Sequence, residues 1–160
     1  MSQEKQPKKP QQEKQKSLFQ RLAEVNVNEH TQTKGNRGQF KLTYLSWPFA
    51  VRELKKACPD AYWEVTKFDY VGQEGVQYKL PYMRDKSGYA YVEVTVYADG
   101  IPMTQIHPVL DNYNKAVRDP DSFAVNTAIM RGLTKTISLH GLGLYIYAGE
   151  DLPVTDDELS

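Results

Sequence analysis

The stretch Asp119 to Asp151, DPDSFAVNTAIMRGLTKTISLHGLGLYIYAGED, constrains the fold more than any other part of the chain. On a helical wheel Ala124, Ala128, Ile129, Leu133 and Ile137 gather on one side, while Thr127, Arg131, Lys135 and Ser138 fall on another. One side is suited to packing and the other to water. Asp119 ahead of Pro120 predicts an N-cap with proline in the first turn, and the Gly141 to Gly143 pair predicts the stop. Two cations one turn apart, with hydroxyls above and below, suit a row of phosphates. They suit ordinary solvation equally well.

The segments before this helix supply something for it to pack on. Ser17 to Val27 carries Leu18, Leu22 and Val25 at helical spacing behind a serine cap, which predicts a short first helix. Glu29 to Gln39 holds Thr, Asn, Lys and two glycines and reads as an exposed loop, with Lys34, Arg37 and Lys41 available to a nucleic-acid backbone. A second helix follows from Ser46 as N-cap and Pro48 in the first turn, with Ala50, Leu54 and Ala57 as its packing stripe, and Pro59 ends it. Its outer side carries Arg52, Lys55 and Lys56.

From Tyr62 to Val109 the period changes to two. YWEVTKFDY, VQYKLPYMR and YAYVEVTVYA are bounded by Gly, Asp or Pro and rich in aromatic and β-branched residues. In the third, Ala90, Val92, Val94, Val96 and Ala98 point one way, and Tyr89, Tyr91, Glu93, Thr95 and Tyr97 the other. Asp99-Gly100 predicts a hairpin into a fourth strand near Met103 to Val109, and Pro81 predicts an edge or bulge in the second run. The expected class is α+β: an antiparallel, curved sheet of three to four strands, covered on one face by the long C-terminal helix, with helices at the N-terminal side.

A chain of 160 residues is expected to form one domain. Residues 1–16 contain Pro7 and Pro10 and little that is apolar, so they read as a disordered polar arm; residues 17–153 form the folded body, and 154–160 an acidic tip. The 20 Lys and Arg balance the 20 Asp and Glu, but unevenly, because Lys5, Lys8, Lys9, Lys14 and Lys16 make the arm basic while Asp156, Asp157 and Glu158 make the tip acidic. A neutral total therefore leaves a nucleic-acid partner possible while excluding a uniformly basic coat. Cys58 is the single cysteine, so no intramolecular disulfide and no cysteine-rich zinc site can form. The first residues have no apolar stretch suited to a signal peptide or membrane span, and the cytoplasm is the expected compartment.

The sequence lacks G-x-x-x-x-G-K-[ST] and any Gly-Lys pair, which argues against P-loop nucleotide hydrolysis. Asp111, Glu93, Asp85 and Glu64 could serve a magnesium-dependent nuclease, but no motif joins them. Aromatic residues instead alternate with bases: Lys41 and Tyr44, Tyr62 and Lys67, Tyr78 and Lys79, Tyr82 and Arg84. Single-stranded nucleic acid is held by this combination, since cations follow phosphates and aromatic faces stack on bases.

Three segments, LTYLSWPFAVRELKKACPDAYWEV, HPVLDNYNKAV and VNTAIMRGLTKTISLHGLGLYIYAGEDLP, together resemble the phage single-strand annealing proteins of the Sak-three type. That group looks like a distant branch of the superfamily of the eukaryotic annealing protein Rad-fifty-two. The resemblance spans Leu18 to Pro153. It implies an ATP-independent recombination protein of the host bacterial cytoplasm that binds single-stranded DNA, anneals complementary strands without covalent catalysis, and assembles into rings or filaments. No cofactor or metal is implied.

On the superfamily's pattern of a basic helix behind the sheet, Arg131 and Lys135 carry the DNA-binding role, with Thr127 and Ser138 as neutral neighbours. Lys115, Lys41, Tyr44, Lys67, Lys79 and Arg84 are further candidate contacts. Candidate protein partners are a host or phage single-strand binding protein or an exonuclease. Two competing classes stay open: an oligomeric adaptor or structural DNA-associated protein, and a metal-dependent nuclease.

Overall fold

The computed structural model describes residues 14–34 and 42–148. Residues 1–13 of the expected arm, Lys41 and the acidic tip lie outside them. The described chain runs α1 (Leu18–Ala23), β1 (Thr31–Lys34), β2 (Leu42–Leu45), α2 (Trp47–Ala57), β3 (Tyr62–Val65), β4 (Phe68–Val71), β5 (Gln77–Leu80), β6 (Met83–Arg84), β7 (Ala90–Ala98), β8 (Ile101–Pro108) and α3 (Ser122–Leu139).

β7 is the spine of a four-stranded antiparallel sheet. β8 pairs along one of its edges from Ala98↔Ile101 to Tyr91↔Pro108. The other edge is shared, with β3 against Val94 to Tyr97 and β6 against Ala90 and Tyr91. Between β3 and β6 the chain makes a separate hairpin, β4 with β5. The expected alternation holds: Ala90, Val92, Val94, Val96 and Ala98 are all buried, while Tyr91, Glu93, Thr95 and Tyr97 face the uncovered side. Asp99 and Gly100 both have positive φ (52° and 71°), the geometry that a two-residue turn needs to follow the twist of its strands.

α3 covers the buried face. Gly132 lets it come close, since a Cβ there would lie 3.3 Å from His107 Cβ and from Val94 Cγ2. Leu133 and Ile137 belong to the core cluster that also takes in Leu54 of α2, Leu22 of α1 and Val94 and Val96 of β7. Each is fully buried and contributes about 2 kcal/mol of hydrophobic transfer energy. α1 begins with a reciprocal cap between Ser17 and Gln20, and α2 follows Ser46, which stands at the N-cap position without a side-chain cap bond, with Pro48 in its first turn. No described helix is long and apolar enough to cross a membrane.

Several details differ from the sequence reading. The cap of α3 is Asp121, whose carboxylate accepts from the Ala124 N–H at 2.8 Å; Asp119 instead pairs with Arg84. The first two strand runs are each broken, one at Thr66, whose N–H turns to the Glu93 carbonyl, and the other at Pro81. Where an exposed loop was expected, Thr31–Lys34 pairs with Leu42–Leu45 in an antiparallel hairpin. β2 and the turn Leu144–Tyr147 pack on the flank of α3 that the wheel left to water. Ser138 on that flank is consequently buried, and its hydroxyl donates back to the Thr134 carbonyl at 3.0 Å.

Candidate nucleic-acid interface

Arg131 stands half-buried on the α3 flank, where the β1–β2 hairpin approaches. Its guanidinium carbon lies 4.2 Å from the centroid of the Tyr44 ring on β2, close enough for a cation–π contact. Among the described residues it forms no ion pair. Lys135, one turn further along, is also half-buried and holds its ammonium 5.7 Å from the Tyr147 ring centroid. The two cations therefore rest on aromatic rings rather than extending into bulk water.

Arg131 and Thr127 line two clefts at once. The first, of about 460 Å³, lies between α3 and the β2–α2 junction and includes Gln32, Tyr44, Ser46, Trp47 and Asn126. The second, of about 390 Å³, lies against the loop before α3 and includes Asp111, Asp119 and Asp121. Charge separates them. The first contains a guanidinium, hydroxyls, amides and aromatic surface but no carboxylate, whereas the second opposes one cation with three carboxylates. The lining of the first is therefore net positive and that of the second net negative.

The remaining predicted residues are dispersed. Lys79 pairs with Asp69 at 3.3 Å and Arg84 with Asp119 at 3.1 Å, both exposed pairs of the kind that add little to stability. The hydrogen bond that Arg84 donates to the Asp119 carboxylate raises its already high pKa. Lys67 is exposed at the break between β3 and β4, and Lys115 is exposed in a turn whose backbone N–H groups bind Asp111. None of these four lines the carboxylate-free cleft. The tyrosines of the sheet partner each other: Tyr62 stacks on Tyr97 at 4.6 Å, and Tyr70 on Tyr78 at 5.6 Å. Trp47, Gln32 and Asn126 belong to the cleft and were not singled out from the sequence. The Ser-Trp-Pro start of α2 was the available signal, because it fixes an aromatic residue at a helix end.

The carboxylates considered for a nuclease each have a structural partner. Asp85 and Asp111 accept backbone N–H groups of their own turns, Glu93 accepts the Thr66 hydroxyl at 3.0 Å, and Glu64 accepts the Tyr97 hydroxyl at 3.3 Å. Among the described residues no three His, Cys, Asp or Glu side chains are grouped to hold a metal.

His107 lies beneath the cations on the inner face of β8, opposite Val92. Its Nδ1 is 2.8 Å from the Pro108 carbonyl, and because that oxygen only accepts, the neutral ring carries its proton on Nδ1. Burial pushes the imidazole down to about 4, opposed by the Pro108 hydrogen bond and reinforced by Lys135 and Arg131. The unfolded ring titrates near its ordinary 6.5, so the folded state favours the neutral form. Its contribution is fully present above that value and is lost as pH falls from 6.5 toward 4. Linkage puts the loss at about 2 to 3 kcal/mol by pH 4.5. Urea unfolding at pH 7.5 and 4.5 should therefore show a smaller acid loss for His107→Gln than for the wild type. Equal losses would remove His107 as the cause.

A family model described as Sak Single Strand Annealing Protein matches residues 16–159. No curated protein matches the chain.

Proposed function

Because the chain belongs to the Sak single-strand annealing protein family, we propose that it binds single-stranded DNA and anneals complementary strands in phage homologous recombination, with neither nucleotide hydrolysis nor covalent catalysis. The observation that carries the placement of the site is the cleft without carboxylates in which Arg131 stands on Tyr44. A guanidinium presents a planar fork of donors that matches phosphate oxygens, and its low hydration favours a half-buried position. Thr127, on the same cleft, offers a hydroxyl beside it. Lys135 extends the positive potential one turn along α3.

One cation per cleft gives weak binding for one protomer. Assembly into a ring or filament multiplies such contacts, since after the first protomer binds, each further contact is made at high effective concentration. Annealing then follows from holding a strand by its backbone while its pairing edges stay accessible. Gel mobility of a labelled oligonucleotide tests the reading. A shift is expected with the single strand and not with the duplex, without ATP, and it should weaken steeply between low and moderate salt as counterion release loses its advantage. Equal shifts on both DNA forms, or salt-insensitive binding, would favour an adaptor role instead.

A further inference from the structure

The two tryptophans of this chain have different surroundings. Trp63 is half-buried on β3 and packs against the main core. Trp47, the first residue of α2, leaves 47 % of its surface exposed and lines the carboxylate-free cleft together with Arg131, Tyr44 and Thr127. The exposed part of the indole is a wide π-surface, and on this cleft a planar group can cover it. Its backbone is restrained by Pro48, which fixes φ in the first turn of α2.

We infer that Trp47 is the stacking platform for one unpaired base of the strand whose phosphate Arg131 holds, an inference that rests on the annealing reading above. The cleft, at about 460 Å³, is within the size range of sites that enclose small organic groups. Every nucleobase presents a flat π-face, so the platform accepts any sequence. Stacking uses the face and leaves the pairing edge open to a complementary strand. Inside a duplex both faces are already covered by neighbouring base pairs, so the cleft selects single strands. Phosphate contacts give no such selection.

The test compares a labelled oligothymidylate with an abasic oligonucleotide of the same length, which keeps the phosphates and lacks the bases. The full-length wild type should bind the oligothymidylate on the order of tenfold more tightly than the abasic strand. Trp47→Ala should lose that preference while keeping its affinity for the abasic strand, and Trp47→Phe should restore much of it. In a Trp63→Phe background, fluorescence from Trp47 should be quenched by the oligothymidylate and unchanged by the abasic strand.

If the wild type binds both strands equally, Trp47 does not stack on a base, while phosphate binding at Arg131 stands. If Trp47→Ala keeps the preference, or changes the oligomeric state without changing it, the indole serves the fold or a second copy and the inference is overturned. If the wild type binds neither strand, the annealing reading falls and takes this inference with it.

Discussion

Replacing Arg131 by alanine should weaken binding of the full-length protein to single-stranded DNA by about ten- to a hundredfold, the range for losing a charge-assisted hydrogen bond to a phosphate. The fold should survive. The described contacts of the guanidinium are with the Tyr44 ring, and losing a cation–π contact of that kind costs about 0.5–1 kcal/mol. A second consequence follows from counterion release: the slope of log affinity against log salt should become shallower by about 0.7 for each protomer engaged on the single strand, because each neutralises one fewer phosphate. Arg84→Ala serves as the control. Its guanidinium is already paired with Asp119 and lies outside the carboxylate-free cleft, so its affinity should stay within about twofold of wild type. If both alanine variants weaken binding equally, the DNA follows general surface charge rather than the α3 cleft.

Gly141→Ala should cost about 3 kcal/mol or more of stability, for two reasons that add. Its φ of +121° lies where only glycine is comfortable, and an added Cβ would sit 2.5 Å from the Phe19 carbonyl oxygen. That oxygen is backbone of α1, and α1 is anchored by Leu18 and Leu22 in the core, so neither partner can yield cheaply. Gly100 isolates the first reason, since it has φ +71° with no atom within 4 Å of an added Cβ. Gly100→Ala should cost only about 1 kcal/mol. Urea unfolding of both variants measures the difference. Equal losses would mean that the close approach of α1 to the end of α3 does not matter energetically.

The parts of this fold that were legible in the sequence are those where one physical rule acts unopposed. β7 alternates cleanly because one face meets α3 and the other meets solvent, and Asp99-Gly100 turns because both residues tolerate positive φ. The parts that were not legible are those where packing overrides local polarity. Thr31–Lys34 has no apolar residue and still forms a strand, because its partner β2 carries Leu45 into the core and Tyr44 to Arg131. Ser138 looked wet on the wheel, yet Thr136 and Ser138 each donate to the carbonyl four residues earlier. A hydroxyl satisfied by its own helix can be buried without another partner, so polarity alone does not mark a helix face as solvent-facing.

The same distinction applies to the site. Arg131 and Lys135 follow from their shared stripe on α3 and from the superfamily's pattern of a basic helix behind the sheet. Ser-Trp-Pro marks Trp47 as an aromatic residue at a helix start, but its place on the same cleft as Arg131 comes from the structure alone. Lys79 and Arg84 had the right chemistry, but Asp69 and Asp119 already balance them, a pairing that sequence separation concealed. Asp121 caps α3 in place of the expected Asp119 for a local reason. Helix α3 begins one residue after Asp121, so the nearer aspartate reaches the open N–H groups of the first turn.

Annealing itself is the most direct measurement. Two complementary oligonucleotides, one carrying a fluorophore and the other a quencher, are mixed with the full-length protein in the absence of nucleotide and metal. The wild type should speed the loss of fluorescence well above the spontaneous rate, and Arg131→Ala at the same concentration should return it close to that rate. A wild type that does not accelerate pairing, or an Arg131→Ala variant that does so equally well, would contradict a strand-annealing role centred on this cleft.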